Sequence, residues 1–251
     1  MSTLRADTIS KHFGGVHALR NVTLDVRRGE IHGLIGPNGS GKTTLLNLLL
    51  GYYRTNAGRI LIDDVDLTRA SVQARASHGI ARTFQQPRLL GALSVLDNAM
   101  LGQWTNTAAG FLEACLALPR VHREERQARE HARELLYGVG LGQIIDRRAH
   151  LLEHAEQRFL EIARGLVMQP HFLLLDEPAG GLTEHEIEAL GEIVTAVRDC
   201  NIGVLIVEHH TDFVFRICDR VTALNLGSVL AHGVPKEVRS DEELIRVYLG
   251  A

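Results

Sequence analysis

The chain of 251 residues has few cysteines and no C-x-x-C pair. Its three cysteines, Cys115, Cys200 and Cys218, are an odd number at wide spacing. A disulfide-stabilised mini-fold needs paired cysteines and a cysteine zinc cage needs clustered ones, so neither class is indicated. We therefore expect the protein to work in a reducing compartment.

The chain also lacks an excess of positive charge and a long apolar run. It has 27 Lys and Arg against 30 Asp and Glu, a formal net charge of -3, so no global positive field attracts it to nucleic acid. No apolar run approaches the roughly 18 residues of a membrane-spanning helix, and no signal peptide is evident. These absences predict a soluble protein that has no nucleic-acid partner and reaches a membrane only through other subunits.

The length of the chain is sufficient for one compact domain, and its pattern indicates an α/β core. Residues 30–35 form a short apolar run that predicts a strand, and a Gly-rich loop follows directly. Residues 43–50 then predict a Leu-rich helix ended by Gly51, and residues 59–63 predict the next strand. This order of strand, loop, helix and strand predicts a parallel α/β unit.

The middle of the chain, residues 88–168, changes character because helical patterns dominate there and no strong strand occurs. It predicts a helical subdomain inserted in the α/β core. Beyond Pro170 apolar strands resume, at residues 172–175, 204–207 and 221–224. A Thr183/Glu186 capping box begins the helix between the first two of these strands.

One segment matches a phosphate-binding loop between a predicted strand and a predicted helix. It reads Gly36, Pro37, Asn38, Gly39, Ser40, Gly41, Lys42 and Thr43, which fits G-x-x-x-x-G-K-[ST]. In this motif backbone N–H groups and the helix N-terminus receive phosphate oxygens, Lys42 reaches the β- and γ-phosphates, and the Thr43 hydroxyl binds Mg²⁺. The next residue, Thr44, is included in the predicted nucleotide site. The alternative interpretation is a Gly-rich turn without a ligand.

Two carboxylates follow the apolar run at residues 172–175. A phosphate-binding loop requires an acid at the end of a neighbouring strand to orient the metal. Asp176 is predicted to hold Mg²⁺ indirectly, and Glu177 is predicted to polarise the attacking water as the general base. For this pair alone, a strand that ends in a polar turn is the alternative.

A further apolar strand, residues 204–207, ends in polar residues that include His209. The imidazole of His209 is predicted to reach the γ-phosphate and respond to its presence. A surface histidine without such a role is the alternative for a lone His. N-K-x-D, which reads guanine in GTPases, does not occur in the chain.

Taken together, these motifs resemble the ATP-binding cassette (ABC) family of transporter ATPases over essentially the whole chain. The resemblance implies a P-loop NTPase cassette of α/β class with a RecA-like core, a small antiparallel β subdomain and the helical subdomain at 88–168. The resemblance also implies that residues 1–251 form a single ABC ATPase domain. It also implies ATP and Mg²⁺ as cofactors.

The family supplies roles for further positions. Phe13 resembles the aromatic residue that stacks on adenine, although taken alone it is predicted to be a core residue. Gln85 resembles the glutamine that contacts Mg²⁺ and the attacking water and connects the site to the membrane subunit, with Gln86 as the alternative register. Residues 178–182 resemble the D-loop, and His209 falls at the position of the switch histidine.

The chain departs from the family at the L-S-G-G-Q signature, where it reads Leu152, Glu153, His154, Ala155 and Glu156. In the family, two cassettes face each other head to tail, and the signature of one binds the γ-phosphate held by the other. Glu153 and Glu156 put negative charge at that place, and His154 and Ala155 add side chains where glycine backbone would approach closely. The helix that follows is still expected.

Residues 79–85, 101–141 and 244–250 carry a closer resemblance, within the family, to the branched-chain (hydrophobic) amino acid uptake ATPases. It implies an energy-coupling ATPase of a membrane importer, bound peripherally at the cytoplasmic face of the inner membrane. The implied partners are transmembrane permease subunits, a second ABC ATPase subunit in a heterodimer or homodimer and, indirectly, a periplasmic or extracellular substrate-binding protein. The alternatives are a urea or amide importer, a lipopolysaccharide-export type ATPase, and a weakly hydrolysing regulatory subunit. A further class, a soluble ABC protein acting on ribosomes or DNA, would usually show two cassettes or long coiled-coil arms. Neither pattern occurs in this sequence, so this class is disfavoured.

Overall fold

A computed structural model describes residues 2–83, 87–102 and 119–249 of the chain. They form two units, the first within Met1–Gln85 and His171–Ala251 and the second within Gln86–Pro170. None of the helices in these ranges is long and apolar enough to cross a bilayer. Cys200 and Cys218 are both free thiols, and Cys115 lies outside the described residues.

The secondary structure alternates between strands and helices in the first unit and is helical in the second. The strands are β1 (Thr3–Phe13), β2 (Val16–Arg27), β3 (Ile31–Ile35), β4 (Ala57–Ile62), β5 (Val65–Asp66), β6 (Ile80–Arg82), β7 (Phe172–Asp176), β8 (Gly203–Val207), β9 (Arg220–Asn225) and β10 (Ser228–Gly233). The helices are α1 (Lys42–Leu50), α2 (Val72–Ser77), α3 (Val95–Met100), α4 (Pro119–Gly138), α5 (His154–Val167), α6 (Glu184–Asp199), α7 (Thr211–Ile217), α8 (Pro235–Arg239) and α9 (Glu242–Leu249).

The first unit contains a six-stranded sheet in the order β10-β9-β3-β8-β7-β6. All of its strand pairs are parallel except β10 with β9. Every residue of β3, β7 and β8 is buried, as expected for strands covered on both faces. Register pairs Val207 with both Leu34 and Asp176, so the carboxyl ends of these three strands meet at one edge of the sheet.

A second sheet of the same unit is antiparallel, in the order β2-β1-β4-β5. The α/β class and the small antiparallel sheet predicted from the sequence are thereby confirmed. The predicted parallel pairing of residues 59–63 is wrong, because β4 pairs antiparallel with β1. The order of elements along a chain does not specify which strand each one pairs with. After α1 the chain enters this second sheet, where exposed and buried positions are mixed along β4.

Helix α1 follows directly after the predicted phosphate-binding loop. Its leucines join side chains of both sheets in one buried cluster, which includes Leu45, Leu46, Leu48, Leu49, Leu4, Leu24, Ile60, Leu174 and Leu205. The helix ends at Gly51, whose φ of 84° is a left-handed conformation suited to glycine. The buried Arg75 guanidinium donates to the carbonyl oxygens of Leu48 and Leu49 at that end.

The second unit is helical where it is described. Helices α3, α4 and α5 pack on one another, and the buried positions of α4 include Ala128, Ala132 and Leu136. No strand is assigned among its described residues, which have an isolated bridge between Ser94 and Arg148. The apolar side chains of α4 at these positions therefore face inward.

Candidate functional site

The loop between β3 and α1 is a tight turn in which two glycines are required by geometry. A Cβ on Gly36 would lie 2.3 Å from the Leu224 carbonyl oxygen, and one on Gly41 would lie 2.7 Å from the Ala18 carbonyl oxygen. Gly39 has a φ of +81° and open space around the place of a Cβ. The loop backbone is therefore packed closely against other backbone at Gly36 and Gly41. It is open at Gly39, which leaves room for a ligand.

The N-terminus of α1 faces the same opening. The helix starts at Lys42, so the first N–H groups, including those of Thr43 and Thr44, have no intrahelical acceptor. Within the described part of the chain, no side chain caps this end. The Thr43 side chain is exposed and Thr44 is half-buried. These groups supply donors and a partial positive charge that suit phosphate oxygens.

Lys42 is buried and lies against its own loop. Its Nζ donates to the carbonyl oxygens of Gly36 at 2.7 Å and Pro37 at 3.2 Å. Burial lowers the pKa of Lys42, and the charges of Glu177, Asp176 and Glu208 oppose that shift. The Lys42 ammonium group therefore lies within electrostatic reach of three carboxylates.

Asp176, the last residue of β7, lies at the carboxyl edge of the sheet as predicted from the sequence. Its side chain is 7% exposed and its Oδ2 lies 3.4 Å from Nη2 of Arg82. Arg82 also places Nη1 3.4 Å from Oδ1 of Asn47 and its guanidinium 5.3 Å from the ring centroid of Tyr52. Arg82 was not identified from the sequence, because an arginine at the end of a short strand carries no distinctive spacing.

Glu177 and His209 lie close together although 32 positions separate them in the chain. Oε1 of Glu177 is 3.9 Å from Nδ1 of His209, whose side chain is 57% exposed. The Glu177 N–H donates to the Val207 carbonyl oxygen at 2.8 Å, which ties the start of the loop after β7 to the end of β8. The structure therefore brings the predicted general base and the predicted switch histidine together.

Glu208 is a further buried carboxylate at this edge, to which the sequence motifs assign no role. It is completely buried, and Oε1 accepts a hydrogen bond from the Ala179 N–H at 2.7 Å. Its Oε2 accepts from the N–H groups of His209 at 3.1 Å and His210 at 3.3 Å. An acid directly after a buried apolar strand was the signal for Asp176, and the same signal was present here.

Phe13 lies at the end of β1 and is 44% exposed, so the core interpretation of this residue is wrong. Its ring packs edge-on against Tyr53, with centroids 5.3 Å apart, and the Lys11 Nζ lies 4.8 Å from the ring centroid. An exposed aromatic face supported from the side can stack on a base. Gln85 and Gln86 lie outside the described residues.

In the second unit, α5 begins within the segment that departs from the signature, residues 152–156. The expected helix is present, and it starts at His154 with Glu153 at its N-cap. The Glu153 N–H donates to Oε2 of Glu156 at 2.9 Å in a capping box, and Oε1 of Glu156 lies 3.4 Å from Nη1 of Arg147. The first turn of α5 thus carries its own carboxylates.

No cluster of three His, Cys, Asp or Glu side chains that could hold a metal occurs in the parts of the chain that the structure describes. The donor set still fits Mg²⁺ bound with a nucleotide, because that ion takes one or two protein oxygens together with phosphate oxygens and water. The Thr43 hydroxyl and the Asp176 carboxylate supply such oxygens, at the start of α1 and the end of β7.

Comparison with known proteins identifies relatives along the chain. Residues 19–180 match the family model described as ABC transporter. The chain is 38% identical over 248 residues to the high-affinity branched-chain amino acid transport ATP-binding protein LivG of Salmonella typhimurium, covering 98% of this chain and 97% of LivG. It is 36% identical over 250 residues to the lipopolysaccharide export system ATP-binding protein LptB of Escherichia coli, covering 100% of this chain and 98% of LptB.

The fold is similar to that of solved cassettes. The ADP conformation of MJ1267, an ATP-binding cassette of an ABC transporter, superposes with a TM-score of 0.87 at 30% sequence identity, covering 100% of both chains. The cassette fold predicted from the sequence is confirmed by this similarity. The match to the family model includes the loop at residues 36–43 and both Asp176 and Glu177, whereas Phe13 and His209 lie outside it.

Proposed function

Because the chain belongs to the ABC transporter family of ATP-binding proteins, we propose that it is the ATP-hydrolysing subunit of a membrane importer for branched-chain or other hydrophobic amino acids. The single observation that carries the proposal is the edge of the six-stranded sheet, where the loop after β3 and the carboxylates after β7 and β8 converge. The substrate class is supported by the relative LivG, whose name states that transport.

The proposed division of labour at that edge follows from residue chemistry. Phe13 stacks on the base, and residues 36–44 hold the phosphates through backbone N–H groups and the Lys42 ammonium. When bound, Mg²⁺ neutralises developing charge on the phosphates, and Thr43, Gln85 and Asp176 would hold it. Glu177 accepts a proton from the attacking water, and His209 contacts the γ-phosphate.

Cassettes of this family dimerise and work with transmembrane permease subunits. We infer that this chain binds such permeases at the cytoplasmic face of the inner membrane, with residues 88–168 as the helical subdomain and a substrate-binding protein acting on the far side. The second cassette is proposed to be a different chain, because Glu153 and Glu156 place negative charge at the start of α5. An intact signature would have to come from that partner.

Three other functions differ from this proposal in the cargo or in the rate of ATP hydrolysis. An exporter of lipopolysaccharide is favoured by the 36% identity to LptB, whose name states that export, and a urea or amide importer shares the same cassette type. A regulatory subunit that hydrolyses ATP weakly is favoured by the acidic start of α5. The proposed Glu177 base argues against the last of these.

The proposal is tested in vesicles that carry this chain with its proposed permease subunits and second cassette. Labelled leucine should accumulate only with ATP and Mg²⁺ on the cytoplasmic side, and Lys42→Ala should abolish this accumulation. In calorimetric titration, Lys42→Ala should lose roughly 10- to 100-fold in MgATP affinity, because a charge-assisted hydrogen bond is worth about 1.5 to 3 kcal/mol.

The matched control is Lys236→Ala, because Lys236 is exposed on α8. This variant should transport leucine and bind MgATP like the parent. Unchanged ATP affinity in Lys42→Ala would contradict the assignment of the nucleotide site. ATP-dependent movement of urea or of a lipid-linked cargo, without leucine uptake, would contradict the proposed substrate.

A further inference from the structure

Glu208 is a carboxylate with no exposed surface in the first unit. Charged side chains are almost never fully buried unless they are paired, because removing a charge from water is costly without compensating donors. The compensation at this position comes from backbone N–H groups. Among the side chains that the structure describes, the imidazole of His209 lies beside Glu208, with Nδ1 3.9 Å from Oε2.

The backbone donors come from two different loops. The Ala179 N–H lies in the loop after β7, two residues beyond the proposed general base Glu177, and donates to Oε1 of Glu208 at 2.7 Å. The N–H groups of His209 and His210 lie in the loop after β8 and donate to Oε2 at 3.1 and 3.3 Å. The two oxygens of one carboxylate therefore each fix a different loop.

The two loops carry the groups that must act together on the nucleotide. Nδ1 of His209 lies 3.9 Å from Oε1 of Glu177 and 3.9 Å from Oε2 of Glu208. We propose that Glu208 is a positioning residue. It holds the loops after β7 and β8 in one arrangement, so that Glu177 and His209 face the same part of the proposed nucleotide site. This inference rests on the proposed ATPase function, and it adds a residue whose action passes through the backbone.

The chemistry of the side chain explains why a carboxylate is needed. A glutamine at this position has one oxygen that can accept and one NH₂ group that cannot. The NH₂ group would face either the Ala179 N–H or the N–H groups of His209 and His210, so one loop must move. An aspartate keeps both acceptors and the charge but is shorter by one methylene. Glu208→Gln should therefore impair the site more than Glu208→Asp.

The control has to separate this role from general stability. Glu30 is also a buried carboxylate; it accepts from the Arg27 N–H at 3.0 Å and pairs with Arg220. Glu30 directly precedes β3, whereas the phosphate-binding loop directly follows that strand. Glu30 and the phosphate-binding loop therefore lie at opposite ends of β3. Glu30→Gln should destabilise the first unit without moving the loops around Glu177.

The experiment measures steady-state ATP hydrolysis in the assembled transporter, MgATP affinity by calorimetry, and amide hydrogen exchange. In Glu208→Gln, kcat should fall by roughly tenfold or more while MgATP affinity stays within about threefold, because alignment in the transition state is lost. Amide exchange at Ala179 or at His209 and His210 should accelerate. Glu208→Asp should lower kcat by a smaller factor, and Glu30→Gln should leave kcat per folded molecule unchanged.

Equal kcat values for the parent and Glu208→Gln would overturn the inference. A loss of activity in Glu208→Gln that only follows the folded fraction, as in Glu30→Gln, would also overturn it. A raised KM at unchanged kcat would do the same. If Glu208→Gln does not fold, the same comparison of Glu208→Asp with Glu30→Gln decides the question. A parent protein that neither binds nor hydrolyses ATP would contradict the proposed function instead.

Discussion

At the scale of single residues, the proposed general base lies in a backbone conformation that side chains rarely adopt. Glu177 has a φ of 48°, in the left-handed region that costs a non-glycine residue on the order of 1 kcal/mol. The conformation is held by the bond from its N–H to the Val207 carbonyl oxygen and by the Gly180 N–H, which donates to the Glu177 carbonyl oxygen at 3.2 Å. Strain of this kind persists where surrounding structure determines it, and here it turns the chain sharply after β7.

Glu177→Gln tests chemistry separately from binding. The amide preserves size but cannot accept the proton of water, so ATP should remain bound while phosphate release falls by roughly 10² to 10⁴. The measurement is single-turnover and steady-state phosphate release in the assembled transporter, with MgATP affinity determined in parallel.

Glu188→Gln is the matched control for this variant, because Glu188 is an exposed carboxylate on α6. It should hydrolyse ATP at the parental rate. Parental turnover in Glu177→Gln would show that the base is another residue and that the assignment of the two carboxylates is incorrect.

At the scale of elements, β3 carries a buried histidine that links stability to pH. Nδ1 of His32 lies 2.8 Å from the Asp25 carbonyl oxygen and Nε2 lies 2.8 Å from the Thr222 hydroxyl. Burial, followed by the nearby Arg220 guanidinium, lowers the pKa of His32 from 6.5 to about 4, against an opposing effect of Glu30. The folded protein therefore keeps this imidazole neutral where the unfolded chain protonates it.

We expect the free energy of unfolding to fall as the pH drops from about 6.5 towards 4. The unfolded state binds more protons than the folded state in this window, so stability is fully present above pH 6.5 and decreases by up to about 3 kcal/mol below it. Urea unfolding at pH 7.5, 5.5 and 4.5 measures the effect.

His32→Gln should flatten this part of the pH profile, because glutamine does not titrate. His185→Gln, which changes an exposed histidine on α6, should retain the parental slope. Identical slopes for the two variants would assign the pH dependence to other groups.

The sequence alone predicts much of the elements and part of the site. The helix at 43–50 and the apolar strands before Asp176 and Glu208 were identified because hydrophobic runs and glycines mark them, and the Thr183/Glu186 capping box is confirmed. The pairing of β4 was not predicted correctly, since strand pairing depends on contacts between segments that are distant in the chain. Arg82 was missed for the same reason, because its neighbour Asp176 lies 94 positions away.

At the scale of the whole molecule, the acidic start of α5 implies functional asymmetry. The N-terminus of a helix attracts anions through its free N–H groups and its dipole. At this helix, Oε2 of Glu156 accepts the Glu153 N–H, and both side chains carry negative charge. In the proposed dimer each ATP lies between one chain's phosphate-binding loop and the other chain's signature. Two copies of this chain would then form two impaired sites, whereas an intact partner would complete one competent site.

Restoring the signature tests this asymmetry. The combined change Glu153→Ser, His154→Gly, Ala155→Gly and Glu156→Gln removes two charges and two side chains from the start of α5, so the helix N-terminus becomes available to a phosphate. Phosphate release by the isolated protein should rise by roughly 10² to 10³, because a few kcal/mol of transition-state stabilisation are regained. Adding Glu177→Gln should abolish the gain. The control is Glu130→Gln with Glu134→Gln, which removes two exposed charges of α4 in the same unit and should leave the slow parental rate unchanged. If the restored protein releases phosphate no faster than the parent, the acidic signature does not limit the rate and the requirement for a different partner cassette is refuted.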